Sequence, residues 1–141
     1  MEKKMKHLEM IQGIVNRLAN NSFLLKGWSV TIVAGLLALS IATREKIALI
    51  YIAFLPIFVF WILDGYFLWQ ERLFREVYKH VSKKDESQID FDMNPTDFIS
   101  GRNRWIPTIF SNTLIIFYLS LLITLGIVIA FLKLYKPIPL I

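Results

Sequence analysis

The chain has 141 residues, no cysteine, two histidines and only 19% charged residues, against about 25% in an ordinary soluble domain. Without cysteine there is no disulfide framework, no thiolate nucleophile and no Cys-ligated metal. The sequence holds no glycine-rich phosphate loop, no Gly-x-Ser-x-Gly elbow, no HExxH pair and no dinucleotide fingerprint. His7 and His80 stand apart from any metal partner in sequence and read as solvated surface. No metal or cofactor is expected. Apolar residues make up 55% of the chain, gathered into three long blocks. That distribution argues against a disordered chain, a coiled coil and an ordinary soluble enzyme.

A hydrocarbon core of ~30 Å needs about 20 apolar helical residues. Block one, 23–43, carries Lys26 in its first turn, and a lysine there snorkels to the headgroups. Block two, 47–69, contains one charge, Asp64. Block three, counted as 108–133, is free of charge from Thr113 to Leu132. The fold class expected is an all-α membrane protein with three transmembrane helices. Block one starts too late for a signal peptide and lacks a cleavage pattern.

The net charge is +5, and its placement sets the orientation. Segments 1–26 and 70–112 hold 12 of the 16 basic residues; the turn after block one and the tail hold Arg44, Lys46, Lys133 and Lys136. The positive-inside rule then puts the N-terminus and the long connection in the cytoplasm, and the 134–141 tail outside a bacterial inner membrane. Trp28, Trp69 and Trp105 fall near the cytoplasmic interface, where aromatic belts form. Basic residues beside apolar blocks point to anionic lipid, not to direct nucleic-acid binding.

Residues 1–22 read as an amphipathic helix, with Leu8, Ile11, Ile14, Val15 and Leu18 on one face. It lies on the inner leaflet, packs on a neighbouring subunit or covers this chain's own core. Asn20, Asn21 and Ser22 break or cap it before span one; as a glycosylation sequon the triplet is meaningless in the cytoplasm. After Trp69 the helical pattern continues to about Lys84. The apolar stripe Leu73, Phe74, Val77, Tyr78 and Val81 needs a partner. Glu71/Arg75 and Arg72/Glu76 sit at i,i+4. Residues 85–107 form an acidic loop in which Asn94-Pro95 opens a short helix towards Gly101. Asp90-x-Asp92-x-Asn94 begins like a calcium loop, but Pro95 and Gly101 occupy the positions of the turn glycine and the terminal glutamate.

Asp64 is the most informative residue. It lies roughly 7–8 Å inside the cytoplasmic end of span two, where a charge facing lipid costs at least ~2.5–3.5 kcal/mol. Lys26, Ser111 and Asn112 are the partners expected at that depth, as a structural lock or as a gating cluster. Pro56 kinks span two. Ala34, Ala38, Ala42, Gly126 and Ala130 permit close helix contact, within or between subunits. Arg102 and Arg104, with Lys83 and Lys84, are candidates for an anionic ligand or lipid headgroup.

Two stretches carry a resemblance: Asn21-Ser22-Phe23-Leu24-Leu25-Lys26-Gly27-Trp28-Ser29-Val30-Thr31, and Trp61-Ile62-Leu63-Asp64-Gly65-Tyr66-Phe67 followed by Gln70-Glu71-Arg72-Leu73-Phe74-Arg75. Together they resemble small bacterial membrane proteins similar to the effectors of nucleotide-signalling defence systems (the SMODS- and SLOG-associated class). The resemblance implies a homo-oligomer that a sensor protein or nucleotide signal triggers to permeabilise the membrane, aborting phage infection. It implies no catalytic residue, and Asp64, Lys26 and Arg72 fall in the similar part. A membrane scaffold for a soluble partner and a small channel or transporter subunit are the other functions the residues allow. An intramembrane enzyme is the weakest, because a lone membrane carboxylate lacks a second catalytic group.

Overall fold

Helix α1 runs without interruption from Glu2 to Ala42. At 1.5 Å per residue it is about 60 Å long, twice the thickness of a hydrocarbon core. The computed structural model describes residues 2–43 and 46–134, so the 134–141 tail lies outside them except for Leu134. The chain then forms α2 (Lys46–Ile52), α3 (Phe54–Lys83), α4 (Trp105–Ile109) and α5 (Asn112–Leu134), with short 3₁₀ turns at Glu86–Gln88 and Thr96–Phe98. The described residues contain no strand. Three helical stretches, Glu2–Ala42, Ala48–Lys83 and Asn112–Leu134, are long and apolar enough to cross a membrane.

The break expected at Asn20-Asn21-Ser22 does not occur. Asparagine costs a helix only about 0.7 kcal/mol relative to alanine, and packing along a shared face outweighs that. The buried residues of α1 include Val15, Ser22 and Ser29, and those of α3 include Ile57, Asp64 and Glu71. Both sets repeat every seven positions. The two helices run antiparallel: Ser22 bonds Asp64 midway, and Lys4 reaches the Lys84 carbonyl at one end. A seven-residue seam of this kind is how two helices keep one face together. The pattern does not stand out in the sequence, because four of these six residues are polar.

The polar middle of the seam, at Ser22 and Asp64, lies between two apolar clusters. Ile11 and Val15 of α1 pack on Val77 and Val81 of α3, with Leu8, Phe74 and Tyr78 beside them. The partner of the exposed-looking stripe on α3 is therefore this chain's own N-terminal helix, and we call the pair the stalk. The connection after α3 folds back over it through Ile89, Met93 and Phe98. The second cluster joins Val33 of α1, Ile50 of α2, Ala53 and Ile57, and Leu114, Tyr118 and Leu125 of α5.

Span two is divided at Ala53, three residues ahead of Pro56. The Ala53 amide is shared between the Leu49 and Ile50 carbonyls, at 3.2 and 3.1 Å. Pro56 has no amide hydrogen for the Ile52 carbonyl and its ring crowds that oxygen, so the strain appears in the preceding turn. Span three starts later than expected: α4 is a separate turn, and α5 begins at Asn112. Pro107 sits in the first turn of α4, where its missing donor leaves no bond unmade. Gly65 permits this arrangement, since a Cβ there would stand 2.5 Å from Ile109 Cγ1 and 3.3 Å from Ile109 Cα.

Candidate functional site

A polar layer lies between the two clusters. Asp64 is fully buried on α3. Its Oδ1 accepts a short hydrogen bond from Ser22 Oγ on α1. Its Oδ2 accepts from Lys26 Nζ at 2.6 Å and from Tyr118 Oη of α5 at 3.1 Å. Lys26 Nζ also donates to Ser22 Oγ at 2.9 Å, one helical turn away, and stands 5.9 Å from the centre of the Phe117 ring. Trp61 stacks flat on Tyr118, with centroids 5.6 Å apart, and its indole N–H donates to the Ile109 carbonyl at 2.9 Å. One carboxylate thus ties α1, α3 and α5 together, and a stacked indole extends the tie to the end of α4.

The chemistry of this layer is a lock. An ionised carboxylate only accepts, and here three donors surround it. Lys26 supplies a compensating charge and keeps 20% of its side chain exposed, while Asp64 keeps none. Desolvation makes such a pair a weak source of net stability, but losing one partner is costly.

Lys26 and Asp64 meet, as their depths suggested. Ser111 and Asn112 make no hydrogen bond to Asp64; Ser111 ends the turn after α4 and accepts the Ile115 amide at 2.9 Å. Two partners escaped sequence reasoning. Ser22, taken for a helix breaker, was signalled by its i−4 spacing from Lys26. Tyr118 was signalled only as a phenol in a charge-free span, where a hydroxyl needs a partner. His7 is buried, not solvated: its Nε2 lies 3.1 Å from the Asp92 carbonyl and its ring 5.2 Å from Phe91. His80 is exposed and packs edge-on to Phe98. Glu71 pairs with Arg75 at 2.7 Å, whereas Glu76 pairs with Lys79 instead of Arg72.

The four cationic candidates do not converge. Lys84 is bound to Asp90 at 3.0 Å, Lys83 is exposed at the end of α3, and Arg104 is exposed ahead of α4. Arg102 instead lines a cavity of about 540 Å³ with Arg72. The small residues Ala34, Ala38, Ala42, Gly126 and Ala130 are all exposed, so this chain's own helices do not use them.

The acidic run is a turn device. The amides of Asp92, Asn94 and Thr96 each donate to the side chain two residues earlier, at Asp90, Asp92 and Asn94. These are consecutive Asx turns, and Phe91 takes a φ of 56° within them; the short helix expected from Asn94-Pro95 towards Gly101 is a 3₁₀ turn over Thr96–Phe98. The described residues hold no group of three metal-binding side chains. Glu86 accepts the Lys3 and Lys4 amides at 2.9 and 3.4 Å, which places a negative charge at the start of α1 where the helix dipole favours it.

The Lys84 ammonium, and then the Asp92 amide, hold the Asp90 carboxyl below the usual range. A depressed carboxyl stabilises the fold above its unfolded value and loses that contribution as pH falls through the folded one. Amide protection over 84–94, corrected for intrinsic exchange, should stay level from pH 8 to 5 and drop in more acid solution. The step will be small, because the pair is exposed, and Lys84→Ala should shrink it to what the Asp92 amide sustains.

No family model, curated protein or solved structure matches the chain.

Proposed function

We propose that the chain is a non-enzymatic bacterial inner-membrane effector that acts as a homo-oligomer and permeabilises the membrane when triggered. The observation that carries this reading is the Ser22–Lys26–Asp64–Tyr118 lock. Ionisable groups inside a span are expensive, and by default they mark function. This one joins all three candidate spans through a single carboxylate, so one local change releases them all.

The energies suit a switch. Moving an equilibrium from 1:99 to 99:1 takes about 5.5 kcal/mol, and breaking a buried ion pair costs about 3–5 kcal/mol. A trigger that binds the open state better needs to supply an amount of that order. Orientation follows the basic-residue bias, with the stalk and the 85–104 connection in the cytoplasm, where a soluble trigger would meet them. Assembly is supported by the outer face of α5. Thr113, Ser120 and Thr124 share one exposed strip, and hydroxyls and small residues favour contact between spans. The nature of the trigger, a sensor protein or nucleotide signal made during phage infection, rests on the resemblance alone.

Membrane potential reports the difference. With insertion matched, the wild type expressed alone should hold its potential, and Asp64→Asn should depolarise the cells without any trigger. Silence from Asp64→Asn would replace this reading with a second one, a membrane scaffold for a soluble partner. The observation favouring that reading is the connection carried over the stalk by its own apolar contacts.

A further inference from the structure

We propose that the chain has a built site for one anionic phospholipid, in the angle between α3, α4 and the start of α5. Arg72 of α3 and Arg102 of the connection line the 540 Å³ cavity there, with Phe110, Ser111, Asn112 and Thr113. Among the described residues neither arginine makes an ion pair or a side-chain hydrogen bond. The Ser111 hydroxyl is buried and also unpartnered. Two guanidinium forks beside unpaired hydroxyl and amide groups suit a phosphate, which takes several charge-assisted bonds at once.

The neighbouring surface identifies the rest of the ligand. Phe110 also lines a second groove of about 220 Å³, whose other residues are Phe58, Trp61, Ile62 and Ile109. All five are apolar or aromatic. A cationic cavity and an apolar groove therefore meet at one side chain. Arg72 and Arg102 of the cavity each lie three positions from a tryptophan expected at the interface, Trp69 and Trp105, whereas Phe58, Trp61 and Ile62 of the groove lie within the apolar block of span two. A molecule with a phosphate at one end and an acyl chain at the other fills both, whereas a soluble phosphate ester fills only the first.

The site bears on the lock. Trp61 forms a wall of the groove, and its ring stacks on Tyr118, which donates to Asp64. The proposal rests on the assignment of the spans but not on the effector reading, and it stands if depolarisation is never seen.

The test is native mass spectrometry of the purified full chain in detergent, with phosphatidylglycerol, phosphatidylcholine or glycerol 3-phosphate added. The wild type should retain one phosphatidylglycerol per chain. The double variant Arg72→Gln/Arg102→Gln should bind it about tenfold less or worse, as expected for two lost charge-assisted contacts. Asn112→Asp should weaken binding as well by adding a carboxylate to the cavity, and an acid at a helix start does not impair folding. Lys83→Gln, a charge removed from the far end of α3, should bind like the wild type. Equal retention by the double variant, or an equal loss in Lys83→Gln, overturns the site. Glycerol 3-phosphate binding as tightly as the lipid overturns the acyl groove, and phosphatidylcholine binding as tightly overturns the preference for net anionic lipid.

Discussion

Lys26→Met will destabilise the three-helix packing by about 3–5 kcal/mol, the usual cost of removing one partner from a buried ion pair. Asp64 is then left with two hydroxyl donors, no counter-charge and no route to water. Asp64→Leu will cost less, because Lys26 keeps a fifth of its side chain exposed and can redirect its ammonium to the headgroups. Joining the two substitutions should recover most of the loss, since well-packed apolar residues often replace a buried ion pair at no net cost. The measurement is a double-mutant cycle on reversible unfolding in bicelles. Single effects that simply add would show that the two side chains lie close without sharing energy, and the lock would fail as an explanation of the fold. Tyr118→Phe should cost well under the ion-pair figure, because interhelical hydrogen bonds in bilayers average about 0.6 kcal/mol.

Ile11→Ala will open the stalk and leave the spans closed. Ile11 is fully buried against Val77 and Val81, and truncations of this kind cost about 2–5 kcal/mol. In the proposed orientation the stalk, unlike the spans, stands in water, which supplies the hydrophobic driving force for its packing. Its loss should therefore appear as faster amide exchange over 2–18, 73–83 and the overlying 89–98. Residues 29–40 and 57–68 should keep their protection, since the lock and the second cluster remain. Met10→Ala, on the exposed face, should change little. A uniform loss of protection along the chain would show that stalk and spans open as one unit.

These expectations differ in how far the sequence foretold them. That the chain holds three helices long and apolar enough to cross a membrane follows from the apolar blocks, because length and hydropathy are properties of contiguous residues. Asp64 stood out for the same reason, as a single charge inside such a block. Lys26 followed from depth along the helix, which needs only the rise per residue. Depth counted along one helix does not carry over to another that is entered through a turn, and there the reading failed. Ser111 and Asn112, at the turn between α4 and α5, line a cavity with Arg72, two turns along α3 from Asp64; Tyr118, nearly two turns further along α5, meets the carboxylate.

The partner of the α3 stripe was equally out of reach. Leu73, Val77 and Val81 announce a buried face, and a second subunit would satisfy that pattern as well as α1 does. Continuity of α1 through Asn20-Asn21-Ser22 hides behind weak local propensity, since the gain that overrides it comes from α3. The three Asx turns had a visible pattern, Asp90-x-Asp92-x-Asn94-x-Thr96, but the same spacing serves a cation loop until the backbone is seen to occupy the oxygens.

The sequence by itself determined an all-helical chain with three apolar helices, a biased distribution of basic residues and one acid placed where it needs a partner. Those features depend on composition and on periodicity along a single helix. Tertiary structure alone decided that Ser22 and Tyr118 complete the lock, that the N-terminal half of α1 covers the apolar stripe of α3, and that Arg72 and Arg102 share a cavity beside an apolar groove. Each of these depends on the rotation of one helix about its axis relative to another. That angle is set by the packing of whole faces, not by any residue's neighbours in the chain.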